Sequence, residues 1–380
     1  MKKLLGIAAV VLAVACAGSS NGKPASAPKE TFGHYNPESG NYPVGAIPNA
    51  SLHDAQRNKD IPLVIEYPSR GEGPFPVIVF SHGFGASNAG YVGLTEYWAS
   101  LGYVCIKPNH ADAGKLRDLL RDQMQERREA RREGRQPERT LGEAIWEGQT
   151  PADWRDRARD VTAVLDSFST LEERYPELKG KLDRNRIAVA GHSYGAMIAM
   201  LLAGVEPVQD GKPMRLADPR VKAVIAMSPQ GVSTTRGLSA ESFHHVKIPI
   251  MYMSGTNDRG ALEGETPEWR RTGFENSPEG DKYFVSIDGA NHFSFAGGFA
   301  LPTFDEDQLD RADAMSAQQN QRMQPRSRGE NRFYREKGVF DSIKVASAVF
   351  WDSYLKGAPA ARDYLDTKLA KRGGVTLWKK

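Results

Sequence analysis

The segment Gly191-His192-Ser193-Tyr194-Gly195 has the residue types of a nucleophile turn. It follows an apolar, β-branched run over 187–190 and precedes a helix-forming run over 196–202. A serine between a strand and a helix sits on a sharp, strained turn, and its flanking glycines are needed because a Cβ at either position would strike the neighbouring strand or helix. Such a turn lifts the Ser193 hydroxyl above the sheet. It also puts the Tyr194 N–H at a helix N-terminus, where free N–H groups and the helix dipole favour a developing oxyanion.

Serine at its ordinary acidity is a weak nucleophile, so this chemistry needs a base, and the base needs an acid to orient it. The acid is expected after a later strand and the histidine after the last one, in the order Ser, Asp, His. Asp258 follows the apolar run over 250–253, within Ser254-Gly255-Thr256-Asn257-Asp258. His292 follows the run over 283–287, within Gly289-Ala290-Asn291-His292-Phe293. Asp288 is the alternative acid, although it lies at the end of the same strand as the histidine. His82, His110 and His192 are not placed at the ends of late strands and read as structural. A second oxyanion donor is expected from the loop after an early strand. Val79-Phe80-Ser81-His82-Gly83-Phe84-Gly85 fits, with Phe84 as the N–H donor because its flanking glycines let the backbone turn toward a carbonyl.

The elements that would position these groups alternate. Apolar runs at 63–67, 77–81, 103–107, 187–190, 221–227, 250–254 and 283–287 read as strands, several of them apolar enough to be buried on both faces. Between them, Trp154, Ala158, Val161, Leu165, Phe168 and Leu171 share one helical face, residues 197–202 follow the fourth strand, and residues 343–355 form a final amphipathic helix. This pattern predicts an α/β fold with a mostly parallel central sheet flanked by helices on both faces.

Two stretches interrupt the rhythm. Within 112–150, residues 117–139 hold eight Arg and six acidic residues, which reads as a solvated helix with ion pairs at i and i+4. A lid over the site and a contact with an anionic membrane surface are its alternatives. Residues 301–337 are polar and rich in Gln and Arg.

Taken together, His82-Gly83-Phe84-Gly85, Gly191-His192-Ser193-Tyr194-Gly195, Met227-Ser228-Pro229-Gln230-Gly231, Gly255-Thr256-Asn257-Asp258 and Asn291-His292-Phe293 resemble the α/β-hydrolase branch that contains platelet-activating-factor acetylhydrolases and predicted dienelactone hydrolases. The resemblance spans about residues 63–355. It implies a serine esterase for short acyl esters, with Ser193, Asp258 and His292 as its triad, Phe84 and Tyr194 as its oxyanion donors, and no metal or cofactor. True dienelactone hydrolases use a cysteine where Ser193 stands, which argues against lactone chemistry. Polyester-degrading cutinases usually carry an aromatic clamp where Gln230 follows Ser228-Pro229, which weakens a polymer substrate. A phospholipase acting on short or oxidised acyl chains is the second enzyme reading. A non-catalytic surface lipoprotein would be expected to lack a triad residue, and none is missing.

Met1, Lys2 and Lys3 precede twelve apolar or small residues over 4–15, the pattern of a secretory signal peptide. That run is too short to span a bilayer, which takes about 20 residues. Ala13-Val14-Ala15-Cys16 resembles a bacterial lipobox, which would leave Cys16 lipidated as the first residue of a cell-envelope lipoprotein, whereas Ala15-Cys16-Ala17 also suits ordinary signal peptidase and a periplasmic or secreted product. Residues 16–45 read as a flexible tether and 46–380 as one catalytic domain carrying the two insertions. With Cys16 lipidated or removed, Cys105 is the sole remaining cysteine, in an apolar run that suggests a buried, inert thiol. The 380 residues are 40% hydrophobic, enough for a full core, and 50 Lys and Arg oppose 47 Asp and Glu. The resulting charge of +3 does not suggest a nucleic-acid partner. The expected partner is a small-molecule or lipid ester, with membrane anchoring through Cys16 and an oligomeric state that the sequence leaves open.

Overall fold

The computed structural model describes residues 35–297, apart from 261 and 263, and residues 328–380. The expected signal peptide, Cys16, most of the expected tether and residues 301–327 of the polar stretch lie outside the described residues. Residues Asn36–Lys380 form one compact unit.

In chain order the strands are β1 Val44–Asp54, β2 Lys59–Pro68, β3 Phe75–Ser81, β4 Val104–Pro108, β5 Leu182–His192, β6 Val208–Gln209, β7 Lys212–Pro213, β8 Val221–Met227, β9 Ile250–Asn257, β10 Lys282–Asn291 and β11 Val375–Lys379. The helices are α1 Val92–Ser100, α2 Lys115–Glu133, α3 Leu141–Glu147, α4 Pro151–Asp166, α5 Phe168–Arg174, α6 Tyr194–Ala203, α7 Pro267–Asn276, α8 Arg328–Tyr354 and α9 Pro359–Asp363. Nine strands form the main sheet in the order β1-β2-β4-β3-β5-β8-β9-β10-β11. From β4 to β10 all neighbours are parallel, while β2 runs antiparallel to β4, β1 to β2 and β11 to β10.

The apolar runs became strands because both faces of the sheet are covered. Along β3, Val77 and Val79 join the core shared with α4 and α6, while Phe80 points to the opposite face, its ring 6.1 Å from that of Trp98 on α1. On that second face Trp98 meets Trp351 of α8 edge-on at 5.8 Å and donates its indole N–H to Ser347 Oγ at 2.9 Å. All six apolar residues assigned to the helical face at 154–171 are buried, but the helix breaks at Ser167 into α4 and α5. Cys105 is fully buried in β4, and burial pushes its thiol pKa well up.

Several boundaries differ from those expected. The end of the tether belongs to the folded unit: the Tyr42 N–H donates to the Ser100 carbonyl at 2.9 Å, its ring meets Phe75 edge-on at 5.3 Å, and β1 begins at Val44. Linker-like Gly and Pro content there conceals an aromatic anchor. Residue 112 does not belong to a surface insertion, because Asp112 is buried and paired with Arg157 at 2.6 Å. The strand before His292 is not the last, since β11 returns antiparallel along the sheet edge. The helix expected over 343–355 begins at Arg328 and is not the final one, since α9 follows it.

Candidate active site

The ends of β5, β9 and β10 converge on Ser193, Asp258 and His292. Ser193 caps α6 with φ 55° and ψ −116°, a strained conformation for a residue with a side chain. The flanking glycines are there for space. A Cβ on Gly191 would lie 2.1 Å from the Gly195 carbonyl oxygen, and a Cβ on Gly195 would lie 2.0 Å from the Ser81 carbonyl oxygen. Asp258 and His292 each occupy the first position after a strand, β9 and β10. Those strand ends also approach closely, since a Cβ on Gly255 would come within 2.2 Å of the Ala290 carbonyl oxygen.

The three side chains form a continuous hydrogen-bonded array. Ser193 Oγ is 2.9 Å from His292 Nε2, and His292 Nδ1 is 3.0 Å from Asp258 Oδ1. An ionised Asp258 can only accept, which fixes the proton on Nδ1 and leaves Nε2 free to accept from the serine hydroxyl. Asp258 is completely buried, and its Oδ2 accepts from Ser228 Oγ at 2.7 Å and Ser254 Oγ at 2.9 Å. Burial alone would raise its pKa, but Arg270, with Nε 3.1 Å from Oδ1, and the bond from His292 outweigh it and hold the carboxyl well below the usual range. Asp288, the alternative acid, is exposed and accepts from Thr256 Oγ1 at 3.2 Å, away from the array.

Arg270 went unnoticed in the sequence because an arginine within α7 carries no motif. Its Nη1 donates to the carbonyls of Ser228 and Pro229, each at 3.0 Å, and Nη2 lies 3.3 Å from His292 Nδ1. With the Nδ1 proton directed at Asp258, that last approach is a charge beside a ring rather than a hydrogen bond. Gln230 donates to the Ser193 carbonyl at 3.1 Å, bracing the turn from the side.

Tyr194 opens α6 and Phe84 lies in the loop after β3; neither N–H has a hydrogen-bond partner among the described residues. The two residues are neighbours, their rings 6.0 Å apart. The loop is tied to the histidine side of the site by a relay. The Gly83 N–H donates to Tyr91 Oη at 3.1 Å, Tyr91 O–H donates to His192 Nδ1 at 2.8 Å, and His192 Nε2–H donates to the His292 carbonyl at 2.7 Å. Tyr91 is held at φ 63° to make this link. His192 is therefore a neutral spacer between two loops; burial first, then the neighbouring His292, lowers its pKa to about 3.

The array opens into a cavity of about 1090 Å³ lined by Ser193 and His292 and, from the charged insertion, by Leu116, Ile145 and Trp146. The α2 helix is largely solvated, but its ion pairs are not the expected i,i+4 ones: Arg121 pairs with Asp118 at i,i+3, and Glu126 with Arg135 beyond the helix end. The α3 helix is different, because it covers the site. The Arg236 guanidinium stacks over the Trp146 ring at 4.4 Å while pairing with Glu265 at 2.7 Å. Among the described residues no group of three or more His, Cys, Asp or Glu could hold a metal ion, and no helix is long and apolar enough to cross a membrane.

Residues 77–370 match the model of the alpha/beta hydrolase family, and the chain belongs to that family, whose members are generally hydrolytic enzymes.

His82 and His110 are also buried and neutral. His82 Nδ1–H donates to the Gly83 carbonyl at 2.8 Å and Nε2 accepts the His110 N–H at 3.1 Å. His110 Nδ1–H donates to Asp160 at 2.8 Å and Nε2 accepts from Ser81 at 2.9 Å. Burial, reinforced by the Arg157 charge, holds both pKa values well below the ordinary imidazole range. With His192, three histidines thus stay unprotonated in the fold at pH values where the unfolded chain binds protons with pKa of about 6.5, so stability falls as pH drops below that value. Between pH 7.5 and 5.5 stability is expected to fall by on the order of a few kcal/mol, all three groups acting in the same direction. Urea unfolding at the two pH values measures it, and equal midpoints would contradict the neutral, buried state.

Proposed function

We propose that this chain is an exported serine hydrolase that cleaves carboxylic esters, with short acyl chains preferred. The observation that carries the reading is the continuous Ser193–His292–Asp258 array on the wall of a largely apolar cavity. As Ser193 Oγ attacks the ester carbonyl, His292 Nε2 takes its proton, and Asp258 keeps the imidazole oriented and stabilises its cation. The Phe84 and Tyr194 N–H groups receive the charge that develops on the carbonyl oxygen. The C–O bond to the alcohol then breaks, with the proton passing from His292 to the leaving alkoxide. In the second half His292 removes a proton from water, whose oxygen attacks the acyl carbonyl, and Ser193 leaves as its hydroxyl is reprotonated. A preference for short acyl groups follows from the resemblance to platelet-activating-factor acetylhydrolases. No metal or cofactor takes part in this scheme, and no nucleic-acid partner is proposed.

Cavity size favours one second reading. About 1090 Å³ exceeds what a short acyl ester fills and suits a phospholipid with a short or oxidised chain. The lipobox-like segment at Cys16 supports the same reading by proposing a tether to a membrane that would hold such a substrate.

With p-nitrophenyl butyrate, Ser193→Ala is expected to lower kcat by about 10⁴-fold or more, and Asp258→Asn by about 10⁴-fold. Wild-type turnover by Ser193→Ala would end the nucleophile assignment. In an acyl-chain series on the mature protein, Trp146→Ala is expected to move the optimum to longer chains; an unmoved optimum would remove α3 from the acyl pocket. For the anchor, bacterially produced full-length protein should partition into the detergent phase of Triton X-114, and Cys16→Ser should send it to the aqueous phase. Identical partitioning would leave cleavage by ordinary signal peptidase as the better reading.

A further inference from the structure

Arg157, on the buried face of α4, is 2% exposed and makes no bond to the Ser193 array itself. Its Nε and Nη2 fork onto the Asp112 carboxylate at 2.9 and 2.6 Å. Nη1 donates to the His82 carbonyl at 2.7 Å, and Nη2 reaches the Gly83 carbonyl at 3.4 Å. Asp112 Oδ2 in turn accepts the Gly85 N–H at 2.8 Å. One ion pair therefore grips the backbone on both sides of Phe84, with the cation on the two carbonyls before it and the anion on the N–H after it.

The same guanidinium lies over the Tyr194 ring, 4.3 Å from its centroid. Arg157 thus contacts the backbone carbonyls just before Phe84, in the loop after β3, and the side chain of Tyr194, at the start of α6, the two residues that carry the free N–H groups. From these contacts we infer that Arg157, with Asp112 as its counter-ion, is a positioning residue that sets the Phe84 and Tyr194 N–H groups against each other, so that both can meet one oxyanion. This inference rests on the esterase reading above.

The chemistry explains the choice of residue. A planar guanidinium offers donors in fixed directions and a flat face for an aromatic ring, neither of which a lysine ammonium supplies. Charge alone would leave the loop free to rotate about a single point. A buried Ser81–His110–Asp160 chain secures the underside of the loop, because the His110 N–H holds the His82 ring at 3.1 Å. Ser81 and Asp160 are completely buried, so this second Ser-His-Asp chain is scaffolding.

Removing the guanidinium outright would strand the Asp112 carboxylate in the interior, so the test uses Arg157→Lys and Asp112→Asn, assayed with p-nitrophenyl butyrate and counted by active-site titration. Per titrated site, kcat is expected to fall about 10- to 100-fold while KM stays within about twofold, since the donors act on the transition state. Affinity for a trifluoromethyl ketone, whose hemiketal oxyanion occupies the same hole, should weaken by a matching factor. Unchanged kcat per titrated site in both variants, or ketone affinity equal to wild type, would overturn the inference and leave Arg157 a purely structural residue. Should Arg157→Lys fail to fold, Asp112→Asn decides, because it keeps the guanidinium and an oxygen able to accept the Gly85 N–H while removing the counter-charge. Ser193→Ala run alongside separates the two claims: wild-type turnover in that control would defeat the esterase reading itself.

Discussion

The close approach of α6 to the ends of the parallel strands is the constraint on which the site depends. A Cβ at Gly195 would sit 2.0 Å from the Ser81 carbonyl oxygen, so the helix can lie against β3 only without one. The same approach forces Ser193 into φ 55°, at a cost of about 1–3 kcal/mol. Packing of α6 offsets it, for every residue from Tyr194 to Ala203 is buried. With the helix so placed, the Ser193 hydroxyl can go nowhere but over the strand ends, where Asp258 and His292 are delivered by β9 and β10.

Around this turn the polar interior is arranged so that charge is either neutralised by tautomer choice or paired by geometry. Three buried histidines remain neutral, each with one nitrogen donating and the other accepting, and they act as rigid spacers between loops. Of the charges kept inside, which include Lys107 paired with Glu66, two pairs lie beside the site: Arg157 forks onto Asp112, and Arg270 meets Asp258 through Nε. Removing one partner from such a pair costs far more than the pair contributes to stability, so their presence near the reacting groups points to orientation rather than to holding the fold together. Burial and Arg157 act in opposite directions on Asp112, and the arginine wins, lowering its pKa to about 2.

Much of this was legible in the sequence, for reasons specific to particular residues. The turn around Ser193 has a signature because its glycines answer a local steric need, and Asp258 and His292 were found because strand ends can be read from apolar runs. Strands β1 and β11 were missed: they run along the antiparallel edges, where exposed residues such as Thr376 and Lys379 break up the apolar signal. Arg157, Arg270 and Tyr91 were missed for a different reason. Each acts on a residue distant in sequence, and an arginine on a helix looks the same whether it faces solvent or a buried carboxylate. The charged insertion was half understood, since α2 fits the solvated pattern, while the short α3 with Ile145 and Trp146 could be placed over the cavity only in three dimensions.

The proposed chemistry requires that Ser193, among the described serines, is activated for attack. Its most direct measurement is intact-mass analysis and peptide mapping of the protein after reaction with a fluorophosphonate. A single phosphonyl adduct on the peptide holding Ser193, prevented by prior acid inactivation of the fold, is the predicted result. Absence of any adduct on folded protein, or an adduct on a different serine, would contradict it.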